Sequence, residues 1–253
     1  MSRIASLGVA LALIVPVSIF ARDTRQELTV NLKFAPQEGV QSNSPDLPAA
    51  MSERPFELRV EDARKAANPL TIGQGTNDDD KAFPINAGSD VVAYVRETLQ
   101  QVASGWDLKR ESPPQRILTI GITRFFVDES NKALGSVYAA EVQLSYVLAD
   151  AAGKRLAEGV ASGEAHRYGR ARSADNCSEV LSDALKEAFA DALSNTELQS
   201  AWSSGKAAAP AAGQAAPQES VEERLRKLDD LLKKGLITKD EYKTKRAEIL
   251  KDV

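Results

Sequence analysis

The sequence predicts an α+β fold: a two-layer sandwich of a mostly antiparallel sheet with two helices on one face, plus a tethered C-terminal helical hairpin. Three observations predict it. Runs at 116–127 and 137–148 carry the dense apolar alternation of strands. Two other segments repeat apolar residues at helical spacing, around 91–102 and 180–193. The last stretch, 219–253, holds two complete sets of helix start signals behind an Ala/Pro/Gly-rich tether.

Residues 1–21 read as an export signal. Arg3 precedes an apolar run from Ile4 to Phe20, and Ala21 is the small residue expected at a cleavage site. The rival is an uncleaved membrane anchor. The run is near the lower end of the ~17–25 residues that span a bilayer, and Pro16 interrupts it. There is no cysteine beside the cut to carry a lipid, and Met1-Ser2 is not a myristoylation start.

Residues 22–202 form the predicted α+β domain. Leu28–Phe34 and Phe56–Asp62 alternate as strands, with a loop over Gln37–Ala50 between them. Ala63–Ala87 looks irregular, with Gly73, Gly75, Pro84 and the acidic run Asp78-Asp79-Asp80. Ser89 is the expected cap of a helix bearing Val91, Val92, Val95, Leu99 and Val102, ended by Gly105. Strands are expected at Arg116–Val127, Val137–Leu148 and Arg155–Tyr168, the last two joined by a turn at Asp150–Lys154 with Gly153 at φ > 0. A second amphipathic helix spans about Asp175–Leu193. Two apolar helix stripes and one apolar sheet face bury each other as two layers.

Residues 203–218, Ser203 to Gln218, are rich in Ala, Pro and Gly and almost uncharged, which marks a flexible linker. In the hairpin of 219–253, Ser220 with Glu223 and Thr238 with Glu241 are two capping boxes. Val221, Leu225, Leu228, Leu231 and Leu232 make the first stripe. Gly235 supplies the stop, and Leu236 folds back on the preceding turn. Ile237 and Tyr242 form a staple across the second cap, and Ile249 and Leu250 extend that apolar face. Chains below roughly 40 residues seldom hold a core alone. These ten side chains are therefore the expected oligomerisation or partner-docking surface.

Leu225, Leu228 and Leu231, followed by Lys234-Gly235-Leu236-Ile237-Thr238 and Glu241-Tyr242, resemble the SHOCT (short C-terminal) domain. The resemblance implies an assembly module attached to a bacterial protein. The central region, about Glu53–Trp202, resembles the YajG-like envelope lipoproteins. The resemblance rests on Val60-Glu61-Asp62-Ala63-Arg64, the helix from Asp90 to Trp106-Asp107, and the hairpin Leu144–Lys154. It implies a cell-envelope location and a non-catalytic role. Those relatives are anchored through a lipidated cysteine after the signal, which this sequence lacks, so lipidation is not carried over.

Composition narrows the remaining chemistry. The net charge is −4 and aromatics are 6%, which gives neither a basic footprint for nucleic acid nor stacking platforms. Cys177 is the sole cysteine and His166 the sole histidine, so no internal disulfide forms and a structural zinc site is not expected. His166 with Tyr168, Arg170 and Arg172 reads first as an exposed strand end and second as an anion site. The aspartates at 78–80 lack the spacing of a calcium loop. Asp62 and Arg64 are expected to fix the turn after their strand. Cys177 falls in the first turn of a helix, where an intermolecular disulfide is the less favoured reading. No catalytic, cofactor-binding or metal-binding residue is assigned.

The expectation is an exported, non-catalytic protein of the periplasm or envelope, partnered with itself or with another envelope protein, with membrane proximity as a further option. The alternative is a periplasmic ligand-binding domain for a lipid or cell-wall fragment, held between helices and sheet.

Overall fold

The computed structural model describes residues 26–36, 44–132, 135–169 and 173–204, together with Tyr242 and Arg246. The described elements are β1 (Leu28–Val30), α1 (Ala49–Ser52), β2 (Phe56–Asp62), β3 (Thr71–Thr76), β4 (Ala82–Ala87), α2 (Val91–Gly105), β5 (Arg116–Lys132), β6 (Gly135–Asp150), β7 (Arg155–Gly169), α3 (Ala174–Ser194) and α4 (Thr196–Ser204). The predicted export segment, 1–21, lies outside the described residues.

The seven strands form one mixed sheet in the order β1-β4-β3-β5-β6-β7, with β2 also paired to β5. The long antiparallel ladders β5–β6 and β6–β7 carry most of the registered pairs. β5 is long enough to serve two partners along its other edge. Its first half, Arg116–Ile122, pairs in parallel with β2, and Val127–Glu129 pairs in parallel with β3. The sheet therefore forks between Ile122 and Val127.

Period-two burial runs down the central strands. Leu118, Ile120 and Ile122 of β5 face Leu148, Tyr146 and Leu144 of β6, and all are buried. A register shift between Ile122 and Arg124 then changes the phase, so Phe125 and Val127 carry the same face onward. Such an extra residue bends a strand while leaving its apolar face continuous. The opposite face is left half-exposed, with Arg124 paired to Glu141 and stacked over Phe126 at 4.9 Å.

The helices cover the apolar face, as the two-layer prediction requires. Val180, Leu181, Ala184, Leu185, Ala188 and Phe189 of α3 are all fully buried. α3 lies so close to β7 that a Cβ on Gly163 would sit 2.2 Å from the Ala184 carbonyl oxygen and 2.4 Å from the Ala188 nitrogen. α2 is joined to α3 by a Tyr94 Oη–Ser182 Oγ hydrogen bond of 2.9 Å and by stacking of Trp106 on Phe189. Tyr94 also meets Phe125 edge to face, which sets α2 on the same layer.

Several local expectations need correction. The first strand ends at Val30, not Phe34. Residues beyond it run extended, and their backbone turns to serines: Lys33 N and O bond Ser178 Oγ, and Ala35 N bonds Ser182 Oγ. The predicted loop over 37–50 includes the start of α1. The stretch 63–87, expected to be irregular, contains the hairpin β3–β4. The α2 cap is Asp90, whose carboxylate accepts from Ala93 N at 2.9 Å; Ser89 instead accepts from Leu32 N. α4 was not predicted. It plugs the end of the sheet with Trp202, fully buried and edge to face with Phe56, and runs on to Ser204, past the predicted domain end. Gly153 sits at φ +82° in the β6–β7 turn, as expected.

Candidate functional site

The predicted assembly residues Val221, Leu225, Leu228, Leu231, Leu232, Leu236, Ile237, Ile249 and Leu250 lie outside the described residues; Tyr242 is described and is half-buried. Within the α+β domain, the residues with the most to say about binding gather where the sheet forks.

β2 ends at Asp62, and the chain turns there under a charged clasp. Arg64 donates from Nε to Asp62 Oδ1 at 2.9 Å and from Nη2 to Asp62 Oδ2 at 2.7 Å. The same Nη2 donates to the Pro69 carbonyl at 2.8 Å, and Arg64 N donates back to Asp62 Oδ1. The sequence-based role of fixing this turn is therefore realised. The Arg64 side chain is 6% exposed. Its third nitrogen, Nη1, is buried and has no acceptor. The side-chain hydrogen bond from Arg64 holds the Asp62 carboxyl below its ordinary range, against the opposing pull of burial.

β4 delivers the chain into α2 at the same place. Asp62, Arg64, Pro69 and Leu70 face Gly88–Val92 across a groove of about 610 Å³. A second groove of about 660 Å³ lies on the other flank of the α2 N-terminus, between Leu32–Phe34 and the helix, and shares Ser89 and Asp90 with the first. These grooves sit beside α2. Where the helices meet the sheet, the site anticipated for a lipid or cell-wall fragment, side chains such as Leu144, Leu185 and Phe189 are fully buried.

His166 lies on β7 opposite Ala139, on the uncovered face, and is exposed. Its neighbour Arg167 points the other way, bonding Asn176 Oδ1 at 3.0 Å and pairing with Glu179 of α3. Tyr168 is 53% exposed; Arg170 and Arg172 lie outside the described residues. Of the His166-Tyr168-Arg170-Arg172 grouping, His166 and Tyr168 alone fall among the described residues. Cys177 is fully buried in the first turn of α3, which removes the intermolecular disulfide in the folded domain. Asp78–Asp80 form the β3–β4 turn: Asn77 Oδ1 accepts from Asp79 N and Lys81 N, and Asn131 donates to Asp78 at 2.7 Å. Among the described residues no three acidic, His or Cys side chains cluster as metal ligands.

Sequence reasoning missed a buried polar cluster under the β5–β6 hairpin. Glu129 is fully buried and accepts from Ser136 Oγ at 3.1 Å and Tyr138 Oη at 3.3 Å. Burial raises the Tyr138 phenol above its ordinary range. The signal available was an acidic residue in phase with Phe125 and Val127, visible only once the register shift at Thr123 is known.

Residues 223–250 match the family SHOCT, the short C-terminal domain, which bears out that resemblance over the hairpin. No curated protein matches the chain. Among solved structures, a Xanthomonas campestris protein of family DUF330 is similar at 10% identity, covering 72% of this chain and 100% of its own, with a TM-score of 0.44. A minor lipoprotein of Acinetobacter baumannii is similar at 7% identity, covering 58% and 90%, with a TM-score of 0.29. Likenesses this slight carry no argument about ligand or role.

Proposed function

We propose that this chain is an exported, non-catalytic protein of the cell envelope whose C-terminal hairpin mediates self-association or docking to another envelope protein. The observation that carries the proposal is the SHOCT match at 223–250, set behind the almost uncharged Ala/Pro/Gly-rich stretch of 205–218. The α+β domain supports it by having a core of its own, in which Trp202 of the last described helix is fully buried and meets Phe56 edge to face. The apolar stripe from Val221 to Leu232 is the surface we assign to that contact. The export and envelope part rests on the apolar run Ile4–Phe20 and its flanks. No helix of the described residues is long and apolar enough to cross a membrane. The non-catalytic part is supported by His166, which stands on the open sheet face opposite an alanine.

The test is solution mass by light scattering of residues 22–253 and of residues 22–204. A multimer that becomes a monomer on truncation supports assembly through the hairpin. Monomers in both cases, with no partner retained by the hairpin, overturn it.

A further inference from the structure

We propose that β2 pairs antiparallel with β2 of a second copy of this chain, about a two-fold axis at Val60. The inference stands apart from the hairpin reading, since it uses only the α+β domain.

The sheet has three outer edges among the described residues, those of β1, β2 and β7. An edge is a template for a further strand unless it is short, bulged, interrupted by proline or covered. β1 is only three residues long, and carboxylates of α3 answer the Ser162 and Glu164 amides of β7. β2 is longer and regular. Its seven residues contain no proline and pair with β5 in unbroken register.

The open backbone groups of β2 follow from its alternation. Ala63 N bonds the Ile122 carbonyl of β5, so Glu57, Arg59 and Glu61 also turn their backbone groups toward β5. Phe56, Leu58, Val60 and Asp62 turn theirs outward. The Phe56 amide is taken by the Lys109 carbonyl at 3.0 Å. That leaves Leu58, Val60 and Asp62, and no strand among the described residues pairs with them.

The order of charge then selects the occupant. In antiparallel self-pairing centred on Val60, Val60 exchanges both bonds with its own copy, and Leu58 exchanges both with Asp62 of the second copy. All three open residues are used. Between them Arg59 stands directly opposite Glu61 of the second copy, and Glu61 opposite its Arg59. These are the non-hydrogen-bonded positions, where facing side chains come closest and opposite charges attract. Arg59 and Glu61 are both exposed, and Arg59 is held on the open sheet face by Glu57 at 2.8 Å. Neighbouring registers fail. Centring on Leu58 needs the Phe56 amide that Lys109 holds, and centring on Arg59 or Glu61 sets like charges face to face. Centring on Asp62 runs into the turn that Arg64 clasps. Only a copy of the same strand brings this complementary order, which makes a second copy the occupant.

The experiment cross-links the full chain. One preparation carries Arg59→Cys, the other Glu61→Cys, with tags of different mass. They are refolded together from urea and mildly oxidised; Cys177 is fully buried and does not compete. Facing positions of this kind lie about 4.5 Å apart at Cα, within the roughly 4.4–6.8 Å that a disulfide spans. The expected product is the mixed dimer, exceeding the two homodimers together at least about fivefold. Assembly by the hairpin alone gives the statistical mixture. Hydrogen exchange of the full chain without cysteine substitutions is the second measurement. The amides of Leu58, Val60 and Asp62 are protected, Arg59→Glu lowers that protection at least about threefold, and Arg59→Glu with Glu61→Arg restores it. Melting temperatures are measured beside each variant. The proposal is overturned by a statistical mixture or no cross-link, or by wild-type amides that exchange freely. It is equally overturned by undiminished protection in folded Arg59→Glu, which assigns the edge to another segment of the same chain or to a different partner.

Discussion

The Arg116 guanidinium donates twice to the main-chain carbonyl of Trp202, through Nε at 3.1 Å and Nη2 at 2.9 Å. The two residues are 86 positions apart in sequence. Arg116 opens β5, and Trp202 lies in the last turns of α4, where carbonyls lose their helical partners. Arg116 is 5% exposed, and burial lowers its pKa from the ordinary arginine value, but a guanidinium is not deprotonated in proteins. It therefore stays charged and satisfies a helix end that would otherwise be buried bare.

Arg116→Met is the direct test of that clasp. It keeps apolar bulk and strands the Trp202 carbonyl, for an expected loss of about 2–3 kcal/mol in urea unfolding. Trp202→Ala empties the pocket against Phe56 and costs about 3–5 kcal/mol. If α4 is peripheral to stability, both variants unfold at the wild-type urea midpoint.

Two glycines separate packing from backbone effects. Gly163→Ala drives a methyl into the α3 backbone, with contacts of 2.2 and 2.4 Å that no rotamer can relieve. The helix must lift from β7, for an expected cost above about 2 kcal/mol. Gly105→Ala meets nothing within 4 Å in the last turn of α2, so the gain in helix propensity stabilises by about 0.5 kcal/mol. Opposite signs in the two melting shifts are the result that supports the α3–β7 contact.

The sheet and both long helices were legible because their apolar residues recur in period: Leu118, Ile120 and Ile122 for β5, Val180 to Leu193 for α3. β3 and β4 were hidden by the very residues that let them pair closely. A Cβ on Gly73 would lie 2.1 Å from the Val127 carbonyl oxygen, and one on Gly75 would lie 2.4 Å from the Phe83 ring. Glycines placed for close approach read, in sequence alone, as loop. The Asp62–Arg64 pair was visible as neighbours, but the groove was not. It joins residues 62–70 to residues 88–92, and that juxtaposition follows from the fork in the sheet.

Asp62 predicts an acid-side signature. Its folded pKa is depressed by the Arg64 hydrogen bonds, so its contribution is present above the unfolded value of about 3.9 and is lost as pH falls through the folded value. Asp62→Asn should therefore be less stable than wild type at pH 7, and the gap should narrow on going below about pH 4. Urea midpoints at pH 7, 5 and 3 measure this. A gap that stays constant with pH would assign the loss to geometry instead of charge.

The final prediction concerns β7, the edge strand beyond which no other described strand pairs. Two of its outward amides are answered by α3. Ser162 N donates to Asp191 Oδ2 and Glu164 N to Glu187 Oε2, each at 3.1 Å. The two carboxylates stand four apart on α3, one helical turn, and meet amides two apart on the strand. α3 thus covers the edge chemically as well as sterically, which is how sheets avoid pairing with other chains. Glu187→Ala with Asp191→Ala should reopen two donors, costing about 1 kcal/mol each and raising the rate of thioflavin-positive aggregation of residues 22–204. Glu158→Ala, which removes the partner of the exposed Arg155, serves as the control and should leave that rate unchanged. Equal aggregation rates for the double variant and the control would show that steric cover by α3 alone protects the edge.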